Sequence, residues 1–135
     1  MTPILIVALF SSLVQAQHQP RASAAEVMEK MKALEFLVGE WEGEGTYEFG
    51  PDQKTTFKIR EVVVPKVNGK AILVEGEGKM PHPEGGKEIV IHEAMGVLTW
   101  DATRDKYVWL PVTAREGYVE AYVEVGDRKI VWGFD

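Results

Sequence analysis

The 135-residue chain contains no cysteine. That excludes disulfides, thiolate metal sites, thiol nucleophiles and thiol redox chemistry, so burial and hydrogen bonding alone must hold the fold. Clustered positive charge is also missing: 15 Lys and Arg are scattered against 21 Asp and Glu, for a formal charge of −6 and a pI near 5.1. Such a surface argues against nucleic acid or anionic membrane as a partner. Histidine is scarce. His18, His82 and His92 show none of the i, i+2 or i, i+4 spacing that metal sites often use, so no metal site is assigned. No apolar run reaches the roughly 20 residues needed to cross a bilayer, and no internal repeat or low-complexity tract is visible.

What is present begins with an apolar stretch over residues 4–14, followed by Val14-Gln15-Ala16 at the positions a signal peptidase reads. Residues 1–16 are expected to be a secretory signal peptide cut after Ala16, although the terminal amine supplies the only positive charge before the run. Residues 17–22 read as a linker, and residues 23–135 as a single domain of ordinary globular composition. The expected location is the periplasm or outside the cell, with no membrane-embedded segment after cleavage.

Ser23 and Glu26 stand in capping-box spacing, and Val27, Met31 and Leu34 form one apolar stripe, which predicts a short helix ending by Gly39. Beyond Gly39 the period drops to two. In "EWEGEGTYEF" (40–49), Trp41, Gly43, Gly45, Tyr47 and Phe49 share one face, while Glu40, Glu42, Glu44, Thr46 and Glu48 share the other, solvated face. Glycines on the dry face permit a sharp bend or close approach by another group. Further strands are predicted over 54–65, 70–80, 88–100, 106–114, 118–125 and 129–135, separated by short turns that include Asn68-Gly69. About seven strands with short connections predict an antiparallel meander, since parallel crossovers need a dozen or more residues. Pro111 cannot donate to a ladder, so a bulge or unpaired position is expected there.

A helix leading into "FLVGEWEGEG" (36–45), then "LVEGEG" (73–78), "IHEAMGVLTWD" (91–101) and "VWGF" (131–134), resembles the bacterial family called domain of unknown function 1579. The resemblance extends more distantly to the nitrobindin-like haem barrels. It implies an up-and-down, calycin (lipocalin-like) β-barrel, with Phe36, Leu37, Gly39, Trp41, Gly43 and Gly45 as its structural motif. Trp41 would close one end of the barrel beneath the incoming N-terminal segment. Family members continue past the "VWGF" strand, which leads to the expectation that this barrel is incomplete, since a small barrel needs roughly eight strands to close. The haem ligand of the nitrobindin-like branch comes late in the chain, beyond the point where this sequence ends. Haem binding is therefore a less favoured reading, and no cofactor is expected.

No catalytic set is assigned. His92 and Glu93 are adjacent on a strand and project to opposite faces. His92 is expected to share the inner face with Val90, Ala94, Gly96 and Leu98, where a lone histidine is more often a satisfied core residue than a ligand. Glu75 and Glu77 lie about 7 Å apart by strand rise, compatible with paired carboxylates, but their alternation with glycine reads as a solvated face. The aromatic residues are plentiful, with four Trp, four Tyr and five Phe. Most serve a core; those on inner faces can also line a cavity. His92, Trp100, Trp109 and Tyr47 are the candidate ligand-binding residues, while Tyr118 and Tyr122 are expected outside. The expected function is non-enzymatic binding of a small, largely apolar molecule. The alternative is a filled scaffold acting through protein contacts.

Overall fold

The computed structural model describes residues 23–82, 84–115, 117–118 and 121–133, with the side chains of Tyr47 and Phe49 excepted. The signal peptide and linker expected over residues 1–22 lie outside the described residues. Helix α1 (Ala24–Met31) starts where the capping pattern places it: the Ser23 hydroxyl accepts from the Glu26 amide at 3.2 Å. Its last turn tightens into a 3-10 segment (Lys32–Leu37), a common way for a helix to end, so the regular helix is shorter than the stripe to Leu34 suggested. Gly39 then takes φ +141°, a conformation side-chain-bearing residues rarely adopt, and the chain enters the sheet. Ser23→Ala is expected to lower stability by about 0.5–1 kcal/mol, because only this exposed cap is lost; a urea melt measures it.

The strands are β1 (Gly39–Gly50), β2 (Gln53–Lys66), β3 (Ala71–Met80), β4 (Ile89–Asp101), β5 (Lys106–Thr113), β6 (Gly117–Tyr118), β7 (Tyr122–Gly126) and β8 (Lys129–Gly133). β1 to β6 pair in sequence order, each neighbour antiparallel, and β7 pairs with β8. An isolated Trp109–Ala121 bridge links β5 to the approach of β7. The fold is therefore mainly β, an up-and-down antiparallel meander behind one short helix. It is not closed: among the described residues β1 pairs only with β2, and β8 only with β7.

The segment expected as one strand over 118–125 is described at Gly117–Tyr118 and Tyr122–Gly126, and the Trp109–Ala121 bridge keeps the register that Val112 and Tyr118 set. Two local expectations need correction. Pro111 pairs in register with Gly96 and no bulge forms against β4; on the other edge of β5 the described pairing to β6 involves Val112 and Thr113. A register shift occurs instead between Gly78 and Lys79, where Gly78 faces His92 but Lys79 faces Val90. Ile91 is the extra residue, so Val90 no longer shares a face with His92 and lies half exposed.

One face of the meander holds the core. Its innermost row is Ile72, Leu98, Trp109 and Ala121, covered by Met31 and Leu34 from the helical segment, with Val63 beside them. Tyr107 donates from its hydroxyl to the Lys30 carbonyl at 2.7 Å, and Trp100 packs edge-on against Tyr107 at 4.8 Å beneath the Lys30 ammonium. At the β4–β5 turn, Asp101 accepts from the Thr103 and Arg104 amides and pairs with the Arg104 guanidinium, which holds its carboxyl below the ordinary value.

Candidate functional site in the concave face

The glycines of the inner face are seats for large side chains. A Cβ on Gly45 would lie within 2.8 Å of Phe57 Cε1, and one on Gly78 within 2.9 Å of Phe57 Cδ2, so the Phe57 ring spans both positions. A Cβ on Gly96 would meet Trp109 Cζ2 at 2.8 Å. Sequence alternation placed Gly45 and Gly96 on the inner face; the structure adds Gly78 and the ring that each glycine receives. Gly76 is different, because its nearest neighbours are Glu61 Cγ at 3.5 Å and Oε1 at 3.7 Å.

Glu61 is the residue that sequence reading missed. It stands in phase with Phe57, Ile59 and Val63 on β2, so its side chain points inward, and the register sets it between Trp41 and Gly76. The signal was available, since a carboxylate interrupts an otherwise apolar alternation; the flanking Arg60 concealed it as one more surface charge. Glu61 has no hydrogen-bond or ion-pair partner among the described residues.

Gly76 and Ala94 follow Glu61 across β3 and β4 and end at Thr113 on β5. Two residues with almost no side chain in the middle of that row leave a hollow of about 640 Å3. Phe57 and His92 border it toward the open end, while Trp109 and Trp132, packed edge-on at 5.8 Å, border it toward the core. Val74 and Pro111 add apolar wall, and Glu61, Thr113 and Arg115 add polar groups. A second hollow, about 220 Å3, lies beside the first and is lined by Leu37, Trp41, Val63, Leu98 and Ile130, with Glu61, Val74, Trp109 and Trp132 common to both.

Of the four candidate ligand-binding residues, His92 and Trp109 border the larger hollow. Trp100 does not; it is held at the helix end against Tyr107. Tyr47 belongs to β1 opposite Thr55, and its side chain lies outside the described residues. Trp41 donates its indole N–H to the Leu37 carbonyl at 2.7 Å, capping the 3-10 segment, and keeps 44% of its surface exposed at the margin of the smaller hollow. It thus joins the helical segment to the sheet without sealing the end it faces. Phe36 and Leu37 are half-buried and Gly43 is open to solvent. The indole nitrogens of Trp100 and Trp109 are buried with no acceptor among the described residues.

Among the described residues no three His, Asp or Glu side chains gather closely enough to hold a metal ion, and no helix is long and apolar enough to cross a membrane. No protein-family model, curated protein or solved structure matches the chain.

Proposed function

We propose that this chain is an exported, non-enzymatic binding protein of the calycin type that holds a small, largely apolar molecule on its concave face. The observation that carries the reading is the hollow of about 640 Å3 over the Gly76–Ala94 row, within the usual range for small-molecule sites. Phe57, Val74, Trp109, Pro111 and Trp132 offer an apolar body its surface, and Glu61 offers an acceptor for one hydroxyl or amine. The motive for export is the apolar run over residues 4–14 with its Val14-Gln15-Ala16 site.

The test uses a neutral hydrophobic fluorophore, N-phenyl-1-naphthylamine, with the wild type and with Ala94→Phe, whose ring would fill the middle of the row. The wild type is expected to enhance probe emission, and the variant to bind at least about tenfold more weakly while keeping its fold, a difference of about 1.4 kcal/mol. Equal binding by both would remove the hollow as the site. Native mass spectra of protein taken from its own host read the same question through a retained molecule. They also read export, because a chain starting at Gln17 supports it and one retaining Met1 overturns it.

A second reading, a scaffold acting through protein contacts, draws on the outer face. There Met95, Val112 and Tyr118 sit in register across β4, β5 and β6, all three exposed. If the fluorophore fails to bind the wild type, this reading takes precedence.

A further inference from the structure

We infer that the molecule held on the concave face carries a methylated ammonium group, and that this head sits in the smaller hollow beside Glu61, among Trp41, Trp109 and Trp132. The inference rests on the apolar-ligand reading above and names the ligand's polar end. The smaller hollow, about 220 Å3, falls below the roughly 300–1,000 Å3 of whole small-molecule sites, so it suits one group of a larger ligand. It shares Glu61, Val74, Trp109 and Trp132 with the hollow of about 640 Å3. A head in the first can therefore pass its tail directly into the second.

Charge selects the head. Among the described residues that line the smaller hollow, Glu61 is the only charged one and the only one with a side-chain acceptor. It is half-buried and has no hydrogen-bond or ion-pair partner among the described residues. Its carboxylate lies over Gly76, where the missing side chain leaves it room: Oε1 is 3.7 Å from the position a Cβ on Gly76 would take. A carboxylate drawn partly out of water with no cation beside it costs stability, and an incoming cation offsets that cost. Arg115, the arginine of the larger hollow, does not line the smaller one, so an anionic head finds no counter-charge there.

The indoles select its substituents. Trp41 stands directly opposite Glu61 in the β1–β2 register, and the rings of Trp109 and Trp132 meet at 61°, making a corner rather than a stack. Indole is the side chain that attracts a cation over its ring most strongly. A primary ammonium would bring three N–H donors into a hollow whose described side chains offer a single carboxylate, and a donor left bare away from water is costly. A trimethylammonium head brings the same charge and no donor. Its methyl groups add apolar surface against the indoles and against Leu37, Val63 and Leu98.

The test is isothermal titration calorimetry of the full chain with four ligands of equal tail: octyltrimethylammonium, octylammonium, 1-octanol and octanoate. The first is expected to bind about tenfold or more tightly than octanol, with octylammonium between them and octanoate weakest. Glu61→Gln, which keeps the size of the side chain, is expected to cancel the advantage of the trimethylammonium ligand while octanol binds as before. Glu44→Gln, on the outer face of β1, is expected to change none of the four. Equal binding of octyltrimethylammonium and octanol, both weakened by Ala94→Phe, would overturn this inference and leave the apolar-ligand reading standing. An advantage that survives Glu61→Gln, or that Glu44→Gln removes equally, would mean attraction by net charge alone and would overturn it as well. So would octylammonium binding as tightly as the trimethyl form, because the indoles would then play no part in the choice. No binding by any of the four overturns it too, and the fluorophore then decides the apolar-ligand reading by itself.

Discussion

Gly96→Ala is expected to lower the stability of this domain by about 1–3 kcal/mol, and Gly96→Val by more, while Gly76→Ala leaves it unchanged or slightly higher. Both glycines sit on the inner face of adjacent strands, yet their surroundings differ in kind. A methyl group on Gly96 enters the six-membered ring of Trp109, within 2.8 Å of Cζ2 and Cζ3. That ring is nine-tenths buried, belongs to the core row and packs edge-on against Trp132, so moving it breaks core contacts. The same methyl on Gly76 meets Glu61 Cγ at 3.5 Å, an ordinary contact with a flexible side chain. Replacing a strand glycine also removes conformational entropy from the unfolded chain, a gain of roughly 0.5–1 kcal/mol that nothing offsets at Gly76. Against a total stability of about 5–15 kcal/mol, the Gly96 loss is large. Urea melts measure it as a lower midpoint at constant slope, and the near-ultraviolet dichroism of the displaced indole reports the cause. Equal midpoints for Gly96→Ala and Gly76→Ala would show that ring-on-glycine packing does not hold this core.

The glycine seats mark how far the sequence could be read. The period of two through "EWEGEGTYEF" and the turn dipeptide Asn68-Gly69 are local signals. They carried the element order, the antiparallel meander and the solvated glutamate face, because side chains on a strand alternate whatever the strand pairs with. Asn68 and Gly69 both adopt positive φ, as that dipeptide invites. Register is not local. The slip between Gly78 and Lys79 moved Val90 off the face of His92, and nothing in "EIVIHEAMG" announces which residue is the extra one. The hollow depends on the same non-local fact: Gly76 and Ala94 are unremarkable on their own strands and become a depression only when pairing sets them side by side. Trp100 and Trp109 show this once more, since both lie on one face of neighbouring strands, but the helical segment covers the end that Trp100 occupies.

Leu34→Ala is the second large effect, expected at about 2–5 kcal/mol, because Leu34 is wholly buried (0% exposed) where the helical segment covers the core row. Its consequence reaches beyond a cavity. An eight-residue helix has no independent stability in water, so α1 and the 3-10 segment persist only by docking on the sheet. Weakening Leu34 therefore also loosens the Tyr107 hydroxyl bond to the Lys30 carbonyl and the Trp41 indole bond to the Leu37 carbonyl. Tyr107 supplies a readout of this coupling. Burial raises its pKa above the ordinary tyrosine value, so the folded state binds the phenolic proton more tightly than the unfolded state does. That contribution is fully present below the unfolded tyrosine pKa and is lost as pH rises through the raised folded value, which gives stability a falling alkaline limb. Tyr107→Phe is expected to flatten that limb and to cost about 0.5–1.5 kcal/mol at neutral pH for the lost hydrogen bond. Leu34→Ala is expected to return the Tyr107 titration, read as the phenolate absorbance difference from Tyr107→Phe, toward its ordinary value while the sheet remains folded. If the titration stays raised although stability has fallen, then the sheet alone buries Tyr107, and the helical segment is not what closes this end of the meander.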